Sequence, residues 1–94
     1  MRKTVLKLLL LGFFAAAGTS ALAEPNSLCM YAISMAGGDE GFAYGYCGNS
    51  SQSSEHWQCI INAMDNSGKR GYSNDDVPSV IGFAYGFGSC YQYD

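Results

Sequence analysis

The chain has little of what most nucleic-acid-binding, membrane-spanning or catalytic proteins rely on. Its 94 residues include two prolines, one histidine and only five lysines and arginines. Three of these basic residues, Arg2, Lys3 and Lys7, lie in the first seven positions. Residues 24–94 therefore carry two basic residues against eight acidic ones, a net charge of 2 − 8 = −6. Binding to nucleic acid or to an anionic membrane depends on clustered Lys and Arg, so the composition argues against both partners.

The sequence also lacks an apolar run long enough for a transmembrane helix, which needs about 18 residues or more. The longest run, Leu8–Ala17, follows a basic start and precedes Ala21-Leu22-Ala23, a small-x-small cleavage pattern. This order is typical of a secretory signal peptide, and the short apolar region is typical of a bacterial one. We expect cleavage after Ala23. The product is a single domain, residues 24–94, exported to the periplasm or the medium with no membrane anchor.

What the chain does contain is a repeated pentapeptide flanked by cysteines. Gly-Phe-Ala-Tyr-Gly occurs at 41–45 and again at 82–86, and each copy lies between two cysteines. Four cysteines permit three pairings, and the repeat favours Cys29–Cys47 and Cys59–Cys90 because each bond would link the ends of one half. Disulfides persist outside the cytosol and are common in small exported domains that bury little apolar surface.

Capping residues and glycines predict four short helices in two hairpins, each helix opened by Asn, Ser or Asp and closed near glycine. The predicted helices are Leu28–Ala36, Glu40–Cys47, a segment from Ser53 or Ser54 to about Asp65, and a segment from Asp75 or Asp76 to about Gly88. The third contains a stripe of apolar residues at helical spacing; its members are Trp57, Ile60, Ile61 and Met64. The sequence therefore predicts a small, disulfide-stapled, mainly α domain.

A period-2 pattern in the repeats supports an alternative α+β fold, in which a β-hairpin is followed by a helix and a strand. Large side chains at 81, 83, 85 and 87 alternate with glycine and alanine, which is a strand signal. If the repeats are helical, Gly41 and Gly45 share one face, as do Gly82 and Gly86. Glycine within a helix costs about 1 kcal/mol relative to alanine. We therefore expect these glycines to allow close contact between packed helices.

One pair of residues in the sequence, His56 and Cys59, has the side chains and the spacing of one helical turn that catalysis could use. Such a pair resembles a nucleophile with its base or two of the ligands of a zinc ion. A metal site needs three or four ligands, however, and a nucleophilic thiol must stay reduced in an oxidising compartment. We expect His56 to be a surface histidine beside a disulfide cysteine. We also expect no catalytic, metal or cofactor site, so that the protein is not an enzyme.

The domain has more tyrosines than its core can bury, seven in all. Tyrosine gives a large contact area at low entropic cost and is common at binding surfaces. We expect Tyr85, Tyr91 and Tyr93 to contribute to a surface for a partner, which we expect to be another extracytoplasmic protein.

The overall layout is similar to that of periplasmic immunity proteins, which neutralise toxins delivered by neighbouring bacteria. It consists of a short bacterial-type leader and a compact four-cysteine domain with paired helices. The resemblance implies an inhibitor-type interaction between proteins and assigns no residue. The expected function is a non-catalytic binding or inhibitor module. The alternative is a secreted toxin or antimicrobial polypeptide, although the charge of −6 argues against attack on anionic membranes.

Overall fold

The structure is a computed structural model that describes residues 24–94; the predicted leader and its cleavage site lie outside the described residues. The described chain is mainly helical and contains no strand. Its helices are α1 (Ser27–Met35), α2 (Glu40–Gly48), α3 (Ser54–Ser67) and α4 (Val77–Phe87), with 3-10 turns at Asn74–Asp76 and Cys90–Tyr93. The predicted mainly α fold is confirmed, and the repeats are helices.

Helices α1, α2 and α3 begin where side-chain caps are available, whereas α4 begins without one. The side-chain oxygens of Asn26, Asp39 and Ser53 accept hydrogen bonds from backbone N–H groups two or three residues further on. These bonds satisfy donors that have no partner within the first turn of a helix. Pro78 stands in the first turn of α4, where its missing N–H is tolerated. Gly68 ends α3 in the left-handed conformation, with φ 74°.

Helix α3 is the centre of the domain, because it packs against α1, α4 and the C-terminal turn, while α2 packs against α1. Its predicted apolar stripe is buried; the members are Trp57, Ile60, Ile61 and Met64. Ile33 of α1 and Val80 of α4 are buried in the same core. The two hairpins, α1–α2 and α3–α4, therefore share one core built around α3.

Each hairpin is closed by one disulfide, in the pairing that the repeat favours. Cys29–Cys47 joins α1 to the end of α2, and Cys59–Cys90 joins α3 to the turn after α4, with Cα atoms 5.8 Å apart in both. The linked residues are 18 and 31 positions apart in the chain. In the chain-entropy model, loops of this length stabilise the folded state by about 3–4 kcal/mol each.

The glycines of the repeats do not mediate close helix packing, so that prediction is wrong. A Cβ added at any of them would meet no atom closer than 3.7 Å; the four are Gly41, Gly45, Gly82 and Gly86. The reason is the alanine at the centre of each copy. Ala43 and Ala84 are buried, and residues two positions away lie about 200° around a helix. The glycines therefore face away from the core.

Glycine-dependent close contact occurs instead between two loops. Gly37, which follows α1, has φ 105°, and a Cβ there would lie 2.7 Å from the carbonyl carbon of Gly71. A Cβ at Gly71 would lie 2.0 Å from the carbonyl oxygen of Ala36. Only glycine fits at both positions, and the contact joins the first hairpin to the loop before α4.

Candidate functional site

A groove of about 660 Å³ lies between α2 and α4 and is lined by both copies of the repeat. Helix α2 contributes Gly45 and Tyr46, and α4 contributes Gly82 and Tyr85, while residues 49–52 form part of the rim. This volume falls within the range of about 300–1,000 Å³ that is common for ligand sites. We call this feature the aromatic groove.

The floor of the aromatic groove is formed by His56 and Trp57, which are adjacent near the start of α3. Both are buried, with 5% and 2% of their surface exposed. Their rings meet edge to face with centroids 4.8 Å apart, and the ring of Tyr46 lies 6.2 Å from that of Trp57. The ring of Tyr85 lies 5.8 Å from that of His56. One aromatic cluster therefore connects the two walls of the groove through its floor.

Asp94 anchors the C-terminal turn to this cluster. The Tyr85 hydroxyl donates a hydrogen bond to Oδ2 of Asp94. His56 Nδ1 lies 3.2 Å from Oδ1 of the same carboxylate, within ion-pair distance but without the direction of a hydrogen bond. The hydrogen bond to Asp94, followed by desolvation, raises the pKa of Tyr85. Tyr85 therefore remains a neutral donor over a wider pH range than a free tyrosine.

The position of His56 differs from the surface location that the sequence predicts. Tyr85 and Asp94 pack against it, and the residue lies on the buried face of α3. The signal was present in the sequence, because His56 precedes Ile60 by four residues and so continues the apolar stripe. Cys59 forms a disulfide with Cys90, so its sulfur is not free to act as a nucleophile or a metal ligand. Among residues 24–94, no group of three or more His, Cys, Asp or Glu side chains is placed to hold a metal ion.

The three tyrosines that the sequence predicts for a partner surface do not line one groove. Tyr85 is half-buried and lines the aromatic groove. Tyr93 is 42% exposed and lines a second groove of about 370 Å³ between α3 and the end of α4. Tyr91 is 63% exposed and lines neither of these grooves. The sequence predicts Trp57 only as a member of the buried stripe and assigns Tyr46 no role, yet both line the aromatic groove. The position after each copy of the repeat gives no signal for this, because Phe87, which follows the second copy, lies outside the lining.

Both basic residues of the described chain lie outside the lining of the aromatic groove. Arg70 forms an ion pair with Asp65, with Nη2 3.0 Å from Oδ1. The Lys69 amino group lies 5.3 Å from the centre of the Phe83 ring. The groove therefore presents aromatic, amide and hydroxyl groups, with the carboxylate of Asp94 bonded to one of its walls.

Comparison with known proteins yields no family model, no curated sequence and no solved structure that matches this chain significantly. Within residues 24–94, none of the helices combines the length and the hydrophobicity that crossing a bilayer requires.

Proposed function

We propose that residues 24–94 form an exported, non-catalytic binding or inhibitor module that engages another extracytoplasmic protein through the aromatic groove. One observation carries this proposal: Gly45 and Gly82 line the groove from opposite helices, and a Cβ added at either position would meet nothing within 4 Å. Each costs about 1 kcal/mol of helix stability relative to alanine. A side chain at either position would enter the groove and not the core, so the close approach of a partner gives these two glycines a role that packing within the fold does not.

The composition of the groove supports a protein partner. Interface centres are enriched in tyrosine and tryptophan and depleted of charge, and the lining of the aromatic groove follows this pattern. Disulfides close both hairpins, so the site is preorganised and less conformational entropy is lost on binding. The same two disulfides are compatible with an extracytoplasmic location.

A matched pair of leucine substitutions in α4 tests the site. Gly82 and Gly86 are one turn apart, and an added Cβ meets nothing within 4 Å at either position. Only Gly82 lines the aromatic groove. We expect Gly82→Leu to fill the groove and lower partner capture at least tenfold, while Gly86→Leu retains it. Helix content by circular dichroism should be the same in both variants.

The assay uses the oxidised 24–94 protein as bait in an extracytoplasmic extract of cells that express the chain, with captured proteins identified by mass spectrometry. A second pair of variants, Tyr46→Ala and Tyr31→Ala, compares a groove tyrosine with one that is 57% exposed on α1. We expect only Tyr46→Ala to weaken capture. Equal capture by both members of each pair, or no specific capture by the unsubstituted protein, would contradict the proposed function.

A further inference from the structure

We propose, building on the proposed function, that the aromatic groove receives an arginine-bearing segment of the partner protein. In this arrangement the guanidinium group stacks on the half-buried ring of Tyr85, and Tyr46 lies on the opposite wall of the groove. Three observations support a cationic occupant: the charge of the domain, the bond between Tyr85 and Asp94, and a cation that the repeat already holds within this chain.

Charge complementarity favours a basic occupant. Residues 24–94 have a net charge of 2 − 8 = −6. The two basic residues of the domain lie outside the groove lining, Lys69 beside Phe83 and Arg70 beside Asp65. A cationic segment is therefore attracted to the domain as a whole and meets no lysine or arginine among the groove-lining residues.

The environment of Tyr85 makes its ring a good partner for a cation. Its hydroxyl donates to the Asp94 carboxylate, and such a bond increases the electron density of the phenol ring through mutual polarisation. The attraction between a cation and an aromatic face depends on that density. Across the groove, Tyr46 is 38% exposed, so part of a second ring is also available.

The second copy of the repeat already contacts a cation within this chain. The Lys69 amino group lies 5.3 Å from the centre of the Phe83 ring, inside the distance of about 6 Å that defines a cation–π contact. Phe83 and Tyr85 flank the buried Ala84 on α4, so aromatic residues border both sides of this helix. The groove side offers the same chemistry to a cation from outside.

Arginine fits this groove better than lysine does. Its guanidinium is planar, weakly hydrated and able to stack on aromatic rings while its N–H groups remain free to donate. Asn49 and Gln52, whose side-chain amides carry oxygen acceptors, belong to the groove lining. A stacked guanidinium can therefore bind a ring with its face and an amide oxygen with its edge.

The test titrates the ¹⁵N-labelled, oxidised 24–94 protein with a short acetylated and amidated peptide, Gly-Ser-Arg-Ser-Gly, and follows amide resonances by NMR. The matched control peptide carries citrulline in place of arginine, which keeps the shape and removes the charge. We expect the arginine peptide to shift the amides of Gly45 and Gly82 and the indole N–H of Trp57. The citrulline peptide should bind about tenfold more weakly, equivalent to about 1.4 kcal/mol.

Tyr85→Ala should abolish the shifts, and Tyr31→Ala should leave them intact. Equal binding of both peptides, no binding of either, or shifts confined to other residues would overturn the inference. Tetramethylammonium that binds in the groove when the arginine peptide does not would also overturn it, in favour of a site for small cations. If capture of the partner depends on Gly82 but does not change with salt concentration, and the peptides fail to bind, the proposed function stands and only the assignment of an arginine is wrong.

Discussion

Alanine at Gly71 and alanine at Gly86 should change stability in opposite directions. A Cβ at Gly71 would lie 2.0 Å from the Ala36 carbonyl oxygen and 2.7 Å from Cβ of Asp76. Neither neighbour is the end of a flexible side chain, so the two loops must move apart. At Gly86 an added Cβ meets nothing within 4 Å, and the only effect is on the helix itself.

The magnitudes follow from these two environments. Overpacking against backbone costs about 1–3 kcal/mol or more, whereas replacing an exposed helical glycine with alanine stabilises by about 0.5–1 kcal/mol. For a domain of this size, each kcal/mol changes the midpoint of thermal unfolding by about 4–8 °C. We therefore expect Gly86→Ala to raise Tm by roughly 2–8 °C and Gly71→Ala to lower it by at least about 4 °C.

The measurement is thermal and urea unfolding followed by far-ultraviolet circular dichroism, with both disulfides intact. Urea slopes should be unchanged, because neither substitution alters the surface exposed on unfolding. A lower Tm for Gly86→Ala would show that the repeat glycines do support close packing. A fully stable Gly71→Ala would show that the contact between the loops beside Gly37 and Gly71 is not tight.

Three further predictions concern titration and processing. The pKa of Tyr85 is raised in the folded state, so its contribution to stability is complete below the ordinary tyrosine pKa of 10.0 and is lost as the pH rises through the folded value. Tyr85→Phe should therefore remove this part of the loss of stability at alkaline pH, measured by urea unfolding across pH 9–12. Hydrogen bonds from the Phe42 N–H and the Asn74 amide lower the pKa of Asp39. The contribution of Asp39 to stability is therefore present above pH 3.8 and is lost as the pH falls through the folded value. Asp39→Ala should lower Tm at pH 7 and make Tm less dependent on pH in the acid range. Intact mass of the exported protein should correspond to cleavage after Ala23, and a retained leader would contradict both export and the charge of −6.

The helices could be predicted from the sequence because their boundaries depend on local chemistry. Asn26, Asp39 and Ser53 act as caps where the sequence places them, and Gly68 ends α3. The period-2 alternation of the repeats competes with this signal. The helical pattern prevails in the second copy because the buried residues of α4, Val77, Val80, Ile81 and Ala84, recur at helical spacing and not at every second position.

The packing partners of the glycines could not be predicted from the sequence in the same way. Whether a glycine meets a neighbour depends on which face of its helix is buried, and that is a property of the assembled domain. Gly71 carries no local signal for its contact with Ala36, since the two residues are far apart in the chain and meet only when α1 packs on α3. The burial of His56 under Asp94 likewise depends on the Cys59–Cys90 bond, which brings the C-terminal turn to α3.

The exposed glycines connect the stability of this domain to its proposed function. Gly45 and Gly82 weaken their helices and line the aromatic groove at positions where an added Cβ would meet nothing within 4 Å. Replacing both with alanine should therefore stabilise the domain by about 1–2 kcal/mol and weaken partner capture, because two methyl groups would enter the groove from opposite walls. The Gly41→Ala/Gly86→Ala variant, outside the groove lining, should gain similar stability and keep its binding. If the groove variant binds as well as the control, the glycines are not retained for the partner, and the aromatic groove loses the observation on which its assignment rests.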